Sequence, residues 1–402
     1  MAIGTSEYAS RRKKVLTALK GAAGVVLAGE GSPPLVGKWF ADRDFIYLTG
    51  ITNEHGAGVL FDPGHPNPKF RCVLFLKPLN PEMDDWDGRR DRISEALRER
   101  HGFDTVMRTT ALPRFLTDAV RRSKRAACLH PFSIFDAPVS PDLAMIRKVA
   151  ERMPGVVIED RTHVLPMLRA VKSKAELDLM RRAIKATGAG LEALAAAMKP
   201  GVGERELQRI LEEGFRQAGA GDPAFNTIVG SGANTTVLHY TANDGIAQEG
   251  ELVVVDSGAS FEGYAADITR SLPVSGKYSK RQRELYTIVL KAQEAAIAVV
   301  KPGATMIQVG EAARRVIEKA GLGDRYIHGV GHQLGLDVHD STPDGPLKAG
   351  MVVTIEPGIY LPDEGVGIRI EDDILVTAQG RQNLSSAIPK SIAAVEAMMR
   401  SR

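Results

Sequence analysis

Glu251-Leu-Val-Val-Val-Asp256-Ser-Gly-Ala-Ser-Phe-Glu-Gly-Tyr-Ala-Ala-Asp267-Ile-Thr-Arg270 is the stretch on which the reading of the fold turns. Its opening run is apolar and β-branched, which predicts a buried strand ending at Asp256. A turn region rich in Ser and Gly follows, then a second strand through Asp267 and Ile268. A hairpin centred near Phe261-Glu262 places Asp256 and Asp267 directly opposite. Their Cβ atoms then lie roughly 5 Å apart on one face. Two such carboxylates repel, and burial worsens the repulsion. A proton or a cation between them relieves it.

More candidate ligands stand downstream. His328-Gly-Val-Gly-His332-Gln-Leu-Gly-Leu-Asp-Val-His339 sets three histidines in a Gly-rich segment. Met351-Val-Val-Thr-Ile-Glu356-Pro-Gly-Ile-Tyr360 reads as a strand ending in a carboxylate, and Gly367-Ile-Arg369-Ile-Glu371-Asp-Asp373 as another. Period two puts Arg369 and Glu371 on one face of that strand. Asp256, Asp267, His332, Glu356 and Glu371 can therefore converge. Four carboxylates and a neutral imidazole carry four negative charges, which two divalent ions balance and one does not. An oxygen-rich set with one His and no thiolate suits Mn²⁺ better than a structural Zn²⁺. Two ions about 3.5–4 Å apart make a hydrolytic centre. Taken singly, each residue also reads as an ordinary strand-end acid or loop histidine; taken together, the five do not.

With their flanking residues, these five resemble the pita-bread metallopeptidases, the group of aminopeptidase P, prolidase, methionine aminopeptidase and creatinase. The matching motifs are VDSG, YAADITR, GVGHQLGLDVHD, TIEPGIY and GIRIEDD, in order and at similar spacing over the C-terminal half. The N-terminal half is similar to the aminopeptidase P N-terminal domain through Asp44-Phe-Ile-Tyr-Leu-Thr-Gly50 and Trp86-Asp-Gly-Arg-Arg90. The resemblance implies an α/β (α+β) chain. Residues 1–165 would form a smaller mixed α/β domain for self-association. Residues 166–402 would form the catalytic pita-bread domain, two halves about a pseudo-twofold axis.

The resemblance also implies roles. Asp256 would hold one metal with both oxygens, and Asp267 and Glu371 would bridge two ions. His332 and Glu356 would complete the other, with Mn²⁺ foremost and Co²⁺ or Zn²⁺ as alternatives. A hydroxide between the ions would attack the scissile carbonyl. Glu356 would act as general base and then acid, and His239 and His339 would donate hydrogen bonds to substrate. Arg369 would orient Asp256, together with Tyr360. Trp86 and Asp44 are candidates to reach a neighbouring subunit's site, which implies a homodimer or higher homo-oligomer. No role attaches to His328 or Asp373. The expected substrate is a small peptide or dipeptide with Pro at its second position. A metal-independent creatinase-like hydrolase and a non-catalytic peptide-binding relative are the alternatives, and both lack such a ligand set.

With 44% hydrophobic residues the composition is that of a globular protein. The chain of 402 residues is too long for one core. With 52 basic and 49 acidic residues the net charge is +3, which gives no support for a nucleic-acid partner. Cys72 and Cys128 are the only cysteines, as expected in the reducing cytoplasm. Arg11-Arg-Lys-Lys14 before Val15–Leu19 imitates a signal peptide, but Lys20 breaks the apolar run too early. No run approaches the 18 or so apolar residues of a membrane span.

Along the chain, residues 8–20 read as helix, and strands are expected at Gly24–Leu27, Asp44–Ile51, Gly58–Phe61 and Cys72–Leu76. Helices are expected near 88–101, 112–124 and 141–152. Ser173-Lys-Ala-Glu176 is a capping box. Lys199-Pro-Gly201 and Lys301-Pro-Gly303 each precede a helix, and these end at Ala218-Gly219 and Ala320-Gly321. They form a faint repeat that chance could also give.

Overall fold

The computed structural model describes residues 3–31, 39–82, 89–132, 135–136, 138–341, 343 and 345–400. Contacts divide the chain into two units, one running from Ile3 to Arg169 and the other from Ala170 onward.

The first unit runs α1 (Thr5–Ala18), β1 (Ala23–Leu27), α2 (Arg43–Thr49), β2 (Gly58–Phe61), β3 (Cys72–Leu76), α3 (Glu95–His101), β4 (Thr105–Arg108), α4 (Leu112–Ser123), β5 (Arg125–Cys128), α5 (Pro141–Ala150) and β6 (Val157–Asp160). Among the described residues its six strands form one sheet in the order β4-β3-β2-β1-β5-β6. β2 is antiparallel to both neighbours, and the outer pairs are parallel. Leu112, Leu116, Ala119 and Val120 recur at helical spacing along α4 and pack on Val25, Leu60 and Phe75.

Asp44–Ile51, expected as a strand, contains helix α2 instead. Asp42 caps it by accepting from the Asp44 and Phe45 amides, and Gly50 ends it in the left-handed region at φ 72°. The aromatic and β-branched residues misled because burial on all sides erases the helical period. Asp44 is buried and ion-paired with Arg169 at 2.9 Å, so it does not reach outward to a neighbouring subunit. Trp86 lies outside the described residues.

A short helix α6 (Val164–Ala170) leads to the second unit: α7 (Lys174–Ala197), α8 (Glu204–Gln217), β7 (Ile228–Ser231), β8 (Leu252–Ser257), β9 (Ser260–Phe261), β10 (Tyr264–Ala265), β11 (Ile268–Pro273), α9 (Lys280–Val299), α10 (Met306–Lys319), β12 (Val352–Ile355), β13 (Gly358–Leu361), β14 (Val366–Arg369), β15 (Asp372–Thr377), β16 (Gly380–Asn383) and α11 (Ile392–Arg400). The repeat is visible in these elements. α7 packs on α8 beside the antiparallel sheet β11-β8-β7, and α9 packs on α10 beside the antiparallel sheet β12-β15-β16. Both α8 and α10 have 14 residues, and each is followed by a left-handed glycine, Gly219 or Gly321. Ser173 and Glu176 form the capping box of α7. This is the pita-bread fold, built around one continuous apolar core.

The central hairpin turns one residue later than expected. Glu262 and Gly263 both have positive φ, 48° and 87°, as a two-residue turn matching the strand twist requires. Asp256 therefore pairs with Thr269 rather than with Asp267. Moving the turn by one residue shifts pairing by two, so the carboxylates stay on one face as diagonal neighbours. Asp267 lies just before β11.

Candidate metal centre

Five chain segments deliver the five predicted ligands. Asp256 is the penultimate residue of β8, and Asp267 precedes β11. Glu356 follows β12 directly. Glu371 stands in the break between β14 and β15, where one continuous strand was expected. The break has a cause: β14 pairs with β13 while β15 pairs with β12, so the chain changes partner at Ile370-Glu371. The Glu371 amide donates to the Thr269 carbonyl at 3.1 Å, tying that break to β11.

His332 sits in an extended segment laid along β12. Its amide donates to the Thr354 hydroxyl at 3.0 Å, its carbonyl accepts from the Thr354 amide at 2.9 Å, and the Glu356 amide donates to Val330 at 2.9 Å. Gly331 lets the segment approach, for at φ 151° a Cβ there would lie 2.0 Å from the Thr354 carbonyl oxygen. The His332 Nδ1–H donates to its neighbour's carbonyl, Gln333 O, at 3.0 Å. That tautomer leaves the Nε2 lone pair facing Asp267 Oδ2 at 3.4 Å and Glu356 Oε1 at 3.5 Å. Burial and the nearby His339 push the His332 ring down to about 4, so it is neutral at physiological pH.

The carboxylates crowd as their charge implies. Ligand atoms of Asp267, His332 and Glu371 lie within 4.8 Å of one another. Burial, then the neighbouring acids, pushes Asp267 and Glu371 well above the usual carboxylate range. Burial raises Glu356 to about 7, with Arg369 opposing and Asp256 adding to the rise. Asp256 Oδ1 is buried with no hydrogen-bond partner among the described residues. An orphaned carboxylate oxygen beside three mutually repelling acids fits a divalent cation that supplies the missing positive charge.

Arg369 holds this set from behind. It donates to Asp256 Oδ2 at 2.7 Å, to the Tyr360 hydroxyl at 2.8 Å and to Leu238 O at 3.3 Å. Thr269 donates to Glu371 Oε2 at 2.6 Å. His239 and His339 stand exposed at the mouth of a cavity of about 230 Å³, which Asp256, His332, Glu356 and Arg369 also line. The His339 ring meets His332 edge to face, with centroids 4.2 Å apart.

Two residues without an expected role acquire surroundings. His328 lines the same cavity. Its Nδ1–H donates to Gly329 O at 2.8 Å, and its Nε2 accepts from the Tyr360 hydroxyl at 2.9 Å. Burial, then the Arg369 charge, lowers it to about 4. Asp373 Oδ2 accepts from the Asp267 amide at 3.3 Å and so steadies a predicted ligand. The sequence holds a weak signal for Thr269 and Thr354, which share a strand face with Asp267 and Glu356 by period two. It holds none for the His328–Tyr360 contact, which spans 32 residues.

The model of metallopeptidase family M24 matches residues 178–378, and that of the aminopeptidase P N-terminal domain matches residues 8–128. An Xaa-Pro aminopeptidase of Haemophilus influenzae is 33% identical over 89% of this chain and 88% of its own. An Xaa-Pro dipeptidase of Pyrococcus furiosus is 39% identical over 55% of this chain and 65% of its own. The structure of a variant Escherichia coli aminopeptidase P in complex with substrate superposes with a TM-score of 0.87. That protein is 29% identical, and the match covers 100% of this chain and 99% of the other.

Proposed function

Since the chain belongs to metallopeptidase family M24 and carries an aminopeptidase P N-terminal domain, we propose that it hydrolyses the Xaa-Pro bond at the free amino terminus of peptides. The observation that carries this reading is that Asp256, His332 and Glu356 line one cavity, that ligand atoms of Asp267 and Glu371 gather with that of His332, and that Asp256 Oδ1 is left orphaned. The residues fit two divalent ions, Mn²⁺ foremost, with Co²⁺ and Zn²⁺ as alternatives. Asp256 would hold one, Asp267 and Glu371 would be shared, and His332 and Glu356 would serve the other. When bound, the ions supply a water acidic enough to attack near neutral pH and an electrophile for the scissile carbonyl.

The chain's own residues do the rest. Glu356 takes the proton of the attacking water on its carboxylate and delivers it to the proline nitrogen, which must leave as a secondary amine. That nitrogen carries no N–H in the substrate, so the site needs no acceptor for it. His239 and His339, at the cavity mouth, donate to substrate carbonyls and stabilise charge as it develops. Arg369 fixes Asp256 and Tyr360 in place. The free amino terminus meets the acidic cluster, which sets the cut one residue in. Neutral His328, packed against Tyr360, offers a ring wall for the pyrrolidine.

Longer peptides are the favoured substrates, because the Xaa-Pro aminopeptidase matches over 89% of the chain and the dipeptidase over 55%. The protein works in the cytoplasm as a homodimer or higher homo-oligomer. Free Cys72 and Cys128 support the first statement. The exposed Phe40, Phe132 and Phe135 of the N-terminal unit support the second. Among the described residues no helix is long and apolar enough to cross a membrane.

The test is a chelation series on an Xaa-Pro-Xaa tripeptide, with bound metal counted at each step. Activity is expected to vanish with the chelator and to return with Mn²⁺ as two ions bind per chain. Full activity in metal-free protein would overturn the proposal.

A further inference from the structure

One buried carboxylate away from the ligand cluster has more hydrogen bonds than any simple cap requires. Glu204 opens α8 and is wholly inaccessible to solvent. Its Oε1 accepts from the Ser231 amide at 2.6 Å, the Ser231 hydroxyl at 2.8 Å and Asn234 Nδ2 at 3.0 Å. Its Oε2 accepts from the Tyr240 hydroxyl at 2.9 Å and the Gly245 amide at 2.7 Å. The Glu204 amide in turn donates to the Gly245 carbonyl at 3.0 Å. All five donors belong to residues 231–245, which leave β7, make one 3-10 turn (Gly232–Thr236) and then run without helix or strand. Such a segment has no ladder of its own to hold its shape.

Midway along it stand Leu238 and His239, both on the cavity wall. Leu238 also presents its carbonyl to Arg369, the side chain that holds Asp256. Glu204 grips both ends of this span, at Ser231 and Asn234 on one side and at Tyr240 and Gly245 on the other. The fit is close: a Cβ on Gly245 would lie 2.8 Å from Glu204 Oε1.

We infer that Glu204 is a positioning residue for the proposed reaction: its carboxylate fixes the Ser231–Gly245 span and thereby sets His239 at the cavity. The inference rests on the peptidase reading of that cavity. Glu204 touches neither substrate nor the ligand cluster, and it acts through the loop. Ser231, Asn234 and Gly245 all present N–H or O–H donors to its carboxylate, and the Tyr240 hydroxyl lies between that carboxylate and Asp244 Oδ1. An amide at this position turns one acceptor into a donor facing the Gly245 N–H. Shortening the side chain by a methylene leaves it unable to span both ends.

A double-mutant cycle tests the inference, using the metal-loaded protein and an Xaa-Pro-Xaa peptide. Glu204→Gln is expected to lower kcat by about 10–100-fold, the scale of a displacement near 1 Å at the site, while metal content stays at the wild-type level. Added to His239→Ala, it should cost less than about 3-fold more, since the residue it positions is already gone. Asn234→Ala removes one of the five donors and leaves the carboxylate in place. It keeps the test open if Glu204→Gln does not fold, and it should lower kcat about 3–10-fold, again only when His239 is present. Additive losses in the His239→Ala background would overturn the inference, as would unchanged kcat in the folded single variants. If wild-type protein does not cleave the peptide, the peptidase reading fails before the cycle begins.

Discussion

Replacing Glu356 by Gln should reshape the pH dependence of stability in metal-free protein. In that state burial holds the Glu356 carboxyl at about 7, against 4.5 for the exposed group. The folded chain therefore binds more protons than the unfolded chain between those values, and stability falls as pH rises through the window. Spanning that window at about 1.4 kcal/mol per pH unit corresponds to a loss on the order of 3 kcal/mol. His328 and His332 work the other way: burial lowers both to about 4, so they lose stability as pH falls from 6.5. His328 remains unchanged in Glu356→Gln and cancels in the comparison. His332, 3.5 Å from Glu356, and the acids Asp267 and Glu371, which Glu356 helps to raise, respond with it, so the difference profile belongs to the cluster as a whole. The assay is urea unfolding of chelated wild type and variant side by side, from pH 4.5 to 8. The variant should gain about 3 kcal/mol relative to wild type across the range and level off above pH 7. Parallel profiles would refute the reasoning, since they would mean that Glu356 is not desolvated in the folded chain. A gain in the acid direction would refute its sign.

Two further outcomes follow from the same geometry. Asp267→Asn keeps shape but removes a charge from the group of Asp267, His332 and Glu371; it should lose metal and slow turnover at least about 10²-fold, as metal analysis and kinetics will read. His239→Ala and His339→Ala should each leave metal stoichiometry intact and lower kcat more than they raise KM, because both residues stand at the cavity mouth rather than among the buried acids.

How legible the molecule was in its sequence varied with the range of the physics involved. Strands such as Gly58–Phe61 and Cys72–Leu76 stand where the apolar runs place them, because both are buried core strands bounded by Gly and Pro. Strands β4, β5 and β6 escaped, being short and half-polar, as in Thr-Val-Met-Arg. Helix α2 (Arg43–Thr49) escaped because its start rests on an Asp42 cap, a signal overshadowed by the aromatic run. The ligand residues stood out because charge balance and motif order constrain them together. Their register did not, since the Glu262-Gly263 turn is fixed by positive φ at a Glu. Contacts such as Arg369 with Leu238, or Glu204 with its loop, join residues far apart in the chain and leave no periodic trace.

The most direct test of substrate choice compares matched Xaa-Pro-Xaa and Xaa-Ala-Xaa peptides, each with free and acetylated amino termini, on the Mn²⁺-loaded protein. Xaa-Pro dipeptides run in parallel separate aminopeptidase from dipeptidase action. Cleavage is expected between the first residue and proline, only with the amino terminus free, and much faster for proline than for alanine. Equal kcat/KM for Xaa-Pro-Xaa and Xaa-Ala-Xaa, or for free and acetylated peptides, would contradict an Xaa-Pro peptidase.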